Sequence, residues 1–256
     1  MKSVTIQNII DFKKNKYKFA TITAYDFNSA QIIDNNDIPL ILVGDSASML
    51  VYGYKTTIPV SMDEMILVVQ SVVRGTKKAL VVADMPFLSY QTSVEDAILN
   101  AGRLMKIGGA GAVKLEGGEH MKKHIKQLVQ IGIPVMGHVG LTPQSYHQMS
   151  GYSMQGKTPK DAQKIINDAL AVEEAGAFSV VLECIPADLA QQITDKLSIP
   201  TIGIGSGKHC DGQIQVFHDV LGLSSSKPPK HAMQYKNLNA EINDALKKYK
   251  SAVEKF

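Results

Sequence analysis

The sequence lacks the features that mark secreted, disulfide-linked or membrane proteins. It has only two cysteines, Cys184 and Cys210, which lie far apart without metal-ligand spacing. We therefore expect no disulfide framework and reduced thiols in a cytoplasmic protein. No apolar run follows the first lysine, so we expect no secretory signal. No stretch is long and apolar enough to cross a membrane.

The chain also lacks a charge imbalance and an internal boundary. Its 27 Lys and Arg residues and 24 Asp and Glu residues give a formal net charge of only +3. Nothing in this balance requires nucleic acid or an acidic membrane as a partner. There is no linker, low-complexity run or charge block, so we expect all 256 residues to form one domain.

What the sequence does have is a regular alternation of two patterns. Short runs rich in Val, Ile and Ala predict eight strands, the last the least distinct, at 19–25, 39–44, 79–83, 110–115, 133–137, 177–182, 199–204 and 215–221. Periodicity and capping signals predict helices at 61–75, 93–107, 119–131, 158–176, 187–197 and 239–256. The spacing also predicts a short helix at 5–14 that covers the bottom of a barrel.

This alternation predicts an α/β fold, a (βα)8 TIM barrel. Near-continuous apolar strands separated by helices are typical of a parallel sheet, and eight such units indicate that the sheet closes. The connections at 46–59 and 139–157 are too long to be ordinary loops. Both follow strands, so we expect them at the carboxyl-end face, where barrel enzymes place their active sites.

The stretch 110–118, reading AGAVKLEGG, places two opposite charges on one strand. Lys114 and Glu116 are two residues apart, so both side chains point to the same side, which in a parallel barrel is the interior. An interior ion pair is costly to desolvate, and this predicts a functional site. The alternative is a surface strand with an exposed Lys and Glu pair.

Four predicted strands end in a carboxylate and a fifth ends in a histidine: Asp45, Asp84, Glu116, Glu183 and His138. Any one carboxylate could simply cap the next helix. Carboxylates that converge on one barrel mouth repel, however, and require a cation or a shared proton. Lys114 supplies one positive charge, and the oxygen-rich ligands favour Mg²⁺ or Mn²⁺ over zinc. Glu183, across the barrel among apolar neighbours, is then left to act as a base.

Two further patterns follow the seventh predicted strand. The segment 203–208 contains three alternating glycines, which could cradle a phosphate or allow close packing. His209, Cys210 and Asp211 are consecutive, and adjacent residues rarely bind one metal ion together, so we expect no second metal site there.

The residues resemble the ketopantoate hydroxymethyltransferase (3-methyl-2-oxobutanoate hydroxymethyltransferase) family of pantothenate biosynthesis. The similarity runs from about residue 19 to residue 223, and its matching stretches are 43–46, 84–87, 89–91, 110–118, 137–138, 140–145, 155–158, 182–184, 202–205 and 209–213. Ser206 and Lys208, and the pair Ala47 and Ser48, depart from the pattern. These departures concern the contacts to folate and the loop stiffness and leave the chemistry intact.

The resemblance implies a TIM-barrel enzyme that uses Mg²⁺ and 5,10-methylenetetrahydrofolate to convert 3-methyl-2-oxobutanoate into 2-dehydropantoate. It implies a homo-oligomer, a decamer of stacked pentameric rings. It implies that Asp45 and Asp84 bind the metal ion, with Glu116 as a further ligand either directly or through water. It implies that Ser46 and Lys114, together with Asp45 and Asp84, bind the keto acid. It also implies that Glu183 is the general base and that His138 is an auxiliary group near the transferred carbon.

The expected mechanism is therefore proton removal by Glu183 to give a Mg²⁺-stabilised enolate that attacks the one-carbon unit. One alternative is another Mg²⁺-dependent 2-oxo acid lyase or aldolase of the phosphoenolpyruvate type, which needs no folate. The other is a non-catalytic binding barrel. That alternative predicts loss of site groups, whereas every candidate group is present.

Overall fold

The computed structural model describes residues 3–149, 151–224, 229 and 232–256. Its strands are β1 (Phe19–Thr23), β2 (Leu40–Val43), β3 (Leu80–Asp84), β4 (Ala112–Glu116), β5 (Val135–Gly140), β6 (Ser179–Glu183), β7 (Thr201–Ile204) and β8 (Gly212–Gln215). Its helices are α1 (Ile6–Lys14), α2 (Phe27–Asn35), α3 (Ala47–Leu50), α4 (Met62–Gly75), α5 (Val94–Lys106), α6 (Lys122–Gln130), α7 (Pro159–Glu174), α8 (Ala187–Lys196), α9 (Phe217–Leu221) and α10 (Leu238–Val253).

The strands form a closed barrel in the order β1 to β8, and each consecutive pair from β1 to β8 is parallel. The predicted TIM barrel is confirmed. Alternate residues of each strand point inward. On β4 these are Ala112, Lys114 and Glu116, whereas Val113 and Leu115 point outward and are buried. The interior is therefore apolar toward the amino ends of the strands and charged toward their carboxyl ends.

Helix α1 closes the amino-end face of the barrel. It begins at a capping box, in which Thr5 accepts from the Asn8 backbone while the Asn8 side chain accepts from the Thr5 backbone. Ile9 is fully buried in the same apolar cluster as Leu40, Leu80 and other barrel-interior residues near the strand starts. The predicted cover over the barrel bottom is thus confirmed, and the face at the carboxyl ends is left for the site.

Some predicted elements were wrong. The eighth strand was predicted at 215–221, but β8 lies at Gly212–Gln215 and residues 217–221 form helix α9. The apolar residues at 217, 220 and 221 follow helical spacing rather than strand alternation. Helices α2 and α3 were missed; the first is capped by Asp26, which accepts from the backbone of Asn28 and Ser29.

The chain divides into two compact units, Met1–Ile214 and Gln215–Phe256. The first contains the barrel residues that form the candidate site. In the second, the Tyr235 backbone donates to the Val220 carbonyl, and α10 has no buried residue. The single-domain organisation stays a prediction. Among the described residues, no helix is both long enough and apolar enough to span a membrane.

Candidate active site

The strand register brings the predicted site residues together at the carboxyl ends of β2 to β6. In the register, Asp84 of β3 is opposite Lys114 of β4, and Glu116 of β4 is opposite His138 of β5. All four side chains are buried, as is Asp45 directly after β2. Since paired residues of parallel strands send their side chains to the same side, the pairing alone places each charge beside its partner.

Lys114 is the central cation of this cluster. Its Nζ lies 2.9 Å from Asp84 Oδ1 and 3.3 Å from His138 Nδ1, and the residue is only 4% exposed. Burial lowers the pKa of Lys114, but the facing carboxylates of Asp84, Glu116 and Asp45 outweigh burial and raise it overall. Lys114 is therefore protonated at neutral pH. The prediction that Lys114 and Glu116 share the barrel interior is confirmed, although the direct partner of the ammonium is Asp84.

His138 lies between two glutamates. Its Nδ1 is 3.3 Å from Glu116 Oε1, and its Nε2 is 3.2 Å from Glu183 Oε2. Burial and the nearby Lys114 lower the pKa of the imidazole, but the bonds to Glu116 and Glu183 prevail and raise it to about 9. The imidazole thus connects the acidic cluster to the one site carboxylate that keeps partial exposure, since the Glu183 side chain is 16% exposed.

The surroundings of Asp45 disfavour the ionised form of its carboxylate. Burial, followed by repulsion from Asp84 and Glu116, raises its pKa well above the usual range. Its backbone N–H donates to Asp84 Oδ2 at 3.0 Å, so the two residues are in direct contact. A bound cation would offset this repulsion and favour the ionised form of Asp45.

The donor set fits a magnesium ion held by few protein ligands. Among the described residues, no three His, Cys, Asp or Glu side chains are already arranged as a metal site. Mg²⁺ is commonly held by only one or two carboxylates together with water and substrate oxygens, and the neighbouring carboxylates of Asp45 and Asp84 supply these. Glu116 is already engaged by protein donors, because Oε2 accepts from the Gln144 backbone at 3.0 Å and Oε1 faces His138. Asp84 is engaged as well, at Oδ1 by Lys114 and at Oδ2 by the Asp45 backbone, so these contacts do not distinguish direct ligation by Glu116 from ligation through water.

Two site residues that the sequence analysis did not single out lie beside Asp45 and Glu116. Gln144, in the connection after β5, donates from Nε2 to Asp45 Oδ2 at 2.9 Å. The Tyr90 hydroxyl contacts Gln144 Oε1 at 2.7 Å and accepts from the Glu116 backbone at 3.0 Å. Both residues belong to loops, so strand alternation could not reveal them.

Ser46 lies at the opposite edge of the cluster. It begins α3 directly after Asp45, and its Oγ is 2.7 Å from the hydroxyl of Tyr25, at the end of β1. Burial raises the pKa of Tyr25, with Asp45 and Asp84 adding to the effect, so its hydroxyl stays protonated. Tyr25 was also missed by the sequence analysis.

The glycine-rich segment after β7 is used for packing. The Ser206 hydroxyl is buried and donates to the Leu182 carbonyl at 2.8 Å. Gly207 has a φ of +75°, and a Cβ there would lie 2.5 Å from the Cβ of Ala187. These contacts favour the close-packing interpretation over the phosphate cradle. Asp211 forms an ion pair with Lys13 at 2.9 Å and accepts from the Thr201 backbone, so its carboxylate is already engaged by protein groups.

A cavity of about 640 Å³ adjoins the acidic cluster. Glu116 and Gln144 form the wall that the cavity shares with the cluster. The rest of the lining mixes apolar side chains such as Phe87 and Met149 with polar ones such as Gln148. Ligand cavities of this kind are mostly apolar with a few orienting polar groups.

Comparison with known proteins identifies the relatives of the chain. The family model described as ketopantoate hydroxymethyltransferase matches residues 3–256. A 3-methyl-2-oxobutanoate hydroxymethyltransferase of Dehalococcoides mccartyi (strain CBDB1) is 53% identical over 251 residues, covering 98% of this chain and 90% of the relative. One of Geobacter metallireducens is 54% identical over 252 residues, covering 97% of this chain and 94% of the relative.

Solved structures share the fold at low sequence identity. A phosphoenolpyruvate phosphomutase from Streptomyces platensis subsp. rosaceus has a TM-score of 0.65 at 11% identity, covering 98% of this chain and 88% of that one. A phosphonopyruvate hydrolase in complex with oxalate and Mg²⁺ has a TM-score of 0.63 at 12% identity, covering 84% and 81%. At this identity the likeness concerns the barrel architecture alone.

Proposed function

The chain belongs to the ketopantoate hydroxymethyltransferase family, and we propose that it transfers a hydroxymethyl group from 5,10-methylenetetrahydrofolate to 3-methyl-2-oxobutanoate. The product is 2-dehydropantoate. Overall, a carbon–hydrogen bond of the branched carbon breaks and a carbon–carbon bond to the one-carbon unit forms. One water supplies the hydroxyl oxygen, and tetrahydrofolate is released.

The single observation that carries this proposal is the buried cluster of Lys114, Asp84 and Asp45 facing the pair of Glu183 and His138. The cluster offers a fixed positive charge for the substrate carboxylate. The pair offers a proton acceptor on the other side of the same barrel mouth. A 2-oxo acid that must lose a proton from carbon needs both of these features.

Asp45 and Asp84 would hold the divalent ion, with Glu116 as a further ligand either directly or through water. When bound, Mg²⁺ supplies Lewis acidity that stabilises negative charge on the keto oxygen. Lys114 and Ser46 bind and orient the carboxylate of the keto acid. Since Lys114 is ionised and buried, its attraction for a carboxylate is little screened by water.

Glu183 takes the proton from the branched carbon. Glu183 Oε2 lies 3.2 Å from His138 Nε2 without an aligned hydrogen bond, and the partial exposure of the side chain leaves the carboxylate open toward the mouth. His138 is held in turn by Glu116, so the base is positioned by a chain of buried groups rather than by a mobile loop. The adjoining cavity of about 640 Å³ supplies space for the folate beside the keto acid.

The test is product formation with each component omitted in turn. We expect 2-dehydropantoate to form only when the keto acid, 5,10-methylenetetrahydrofolate and Mg²⁺ are all present. Turnover of the keto acid without folate would instead support a lyase or aldolase, and no turnover under any condition would support a binding protein. Chelation with excess EDTA should abolish the activity, and added Mg²⁺ should restore it.

We also propose that the enzyme is cytoplasmic and forms a homo-oligomer, a decamer by resemblance to the family. Both cysteines are free thiols, as expected in a reducing compartment. Helix α10 exposes an apolar row of Ile242, Leu246 and Tyr249, a surface that a second copy could cover. Analytical ultracentrifugation should show a particle of about ten times the chain mass. A monomer would contradict the oligomer proposal without affecting the reaction.

A further inference from the structure

Gln144 contacts two of the three acidic residues around the predicted metal position, Asp45 and Glu116. Its side-chain Nε2 donates to Asp45 Oδ2 and to the Met85 carbonyl, both at 2.9 Å, and its backbone N–H donates to Glu116 Oε2 at 3.0 Å. The residue is 5% exposed. Gln144, in the connection after β5, is thus joined by its side chain to acceptors that follow β2 and β3 and by its backbone to one at the end of β4.

The orientation of the Gln144 amide is set by its neighbours. Oε1 lies 2.7 Å from the Tyr90 hydroxyl and accepts from Gln91 Nε2 at 3.0 Å. The Met85 carbonyl can only accept, so it must face the amide nitrogen. A flipped amide would turn an oxygen toward the Met85 carbonyl and the Asp45 carboxylate and would lose both bonds. The donor toward Asp45 is therefore fixed.

The fixed donor determines how Asp45 presents its carboxylate. Gln144 occupies Oδ2, whereas no hydrogen bond from the described residues reaches Oδ1. A carboxylate that is held at one oxygen and left open at the other is oriented for single-oxygen coordination of a cation. The Met85 bond anchors the amide to the backbone next to Asp84, so the donor cannot swing away from Asp45.

We propose that Gln144 is a positioning residue for the divalent ion, which fixes Asp45 through Oδ2 and leaves Oδ1 to bind the metal. This inference rests on the proposed function, because it assumes that Asp45 is a ligand. In this role Gln144 acts on the ion through Asp45, and it also lines the adjoining cavity. It also ties the connection after β5 to the acidic cluster, so that this loop and the metal position are ordered together.

The test measures metal binding directly, with Mn²⁺ as the probe and no substrate present. Calorimetry on the full-length protein gives the dissociation constant for the wild type, Gln144→Met and Gln144→Asn. The Met side chain is nearly isosteric but cannot donate, and the Asn amide is too short to reach Asp45. We expect both variants to bind Mn²⁺ about 10- to 100-fold more weakly, the range for loss of a residue that orients a metal ligand.

Gln163→Met, at an exposed position of α7, is the matched control and should bind Mn²⁺ as the wild type does. Circular dichroism and thermal unfolding establish that each variant is folded; if the Met variant is not, the Asn variant carries the test. At saturating Mn²⁺ we expect the keto acid KM of the variants to return to within about threefold of the wild-type value, because the lost interaction acts through the metal.

The outcomes separate this inference from the proposed function. If the wild type itself binds no Mn²⁺, the metal-dependent function is wrong. If the wild type binds Mn²⁺ and both variants bind it equally well, the function stands and the role of Gln144 is refuted. A variant that is less stable but has an unchanged Mn²⁺ dissociation constant would assign Gln144 a purely structural role, which also refutes the inference.

Discussion

Replacing Glu183 by glutamine tests the assignment of the general base most directly. Glutamine has nearly the same size, and its Oε1 can still accept from His138, which contacts the carboxylate at 3.2 Å. The site geometry should therefore persist while the proton acceptor is lost. General-base catalysis contributes about 10²- to 10⁴-fold, so the barrier should rise by about 2.7 to 5.4 kcal/mol.

The assay is exchange of the branched-carbon proton of 3-methyl-2-oxobutanoate with deuterated water, followed by NMR in the presence of Mg²⁺ and without folate. We expect Glu183→Gln to exchange about 10²- to 10⁴-fold more slowly than the wild type while binding Mn²⁺ and the keto acid within about threefold of it. Glu174→Gln, in the exposed ion pair with Lys122, is the control and should exchange normally. Normal exchange in Glu183→Gln would place the base elsewhere.

Three other predictions follow from buried contacts. Lys114→Met should weaken keto acid binding more than Mn²⁺ binding, because it removes the charge for the substrate carboxylate; equal losses by calorimetry would make the Lys114 and Asp84 pair a structural unit. In metal-free protein, protonated His138 should stabilise the fold fully below about pH 6.5, and this contribution should disappear as the pH rises through about 9. His138→Asn should therefore flatten the unfolding free energy over that window, and an unchanged pH profile by urea titration would contradict the assignment. Gly137→Ala should cost about 1 to 3 kcal/mol in urea unfolding, because the added Cβ would lie 2.3 Å from Val172 Cγ1; unchanged stability would show that α7 can shift freely.

Most of the barrel could be predicted from the sequence because its strands obey a local rule. Most strands are short apolar runs between turn signals. Seven of the eight predicted strands overlap the observed ones by at least three residues, whereas the eighth shares only Gln215 with β8. The eighth was misplaced because Gly212–Gln215 contains only one apolar residue, Ile214, and two glutamines. Its strand conformation depends on closure of the barrel, a long-range constraint that no local pattern carries.

The site residues also differ in whether local sequence patterns could predict them. Lys114, Glu116 and the other strand-end groups could be predicted because position on a strand fixes the direction of the side chain. Gln144 and Tyr90 could not, since their directions depend on how two loops fold against each other. Contact across 99 residues, from Gln144 to Asp45, leaves no trace in spacing or composition. The pairing of Lys114 with Asp84 rather than with Glu116 likewise required the register between β3 and β4.

The alternation of inward and outward side chains along β4 restricts which insertions this protein can tolerate. Inserting a single residue between Ala112 and Lys114 would reverse the two sides of the strand. The ammonium and the carboxylate would then face the helices, and two aliphatic side chains would face the barrel mouth. Only an even change in length would preserve the chemistry. Loops that begin after Glu116 carry no such parity rule, so new substrate contacts can be engineered by lengthening them while the strand that supplies the charges stays the same.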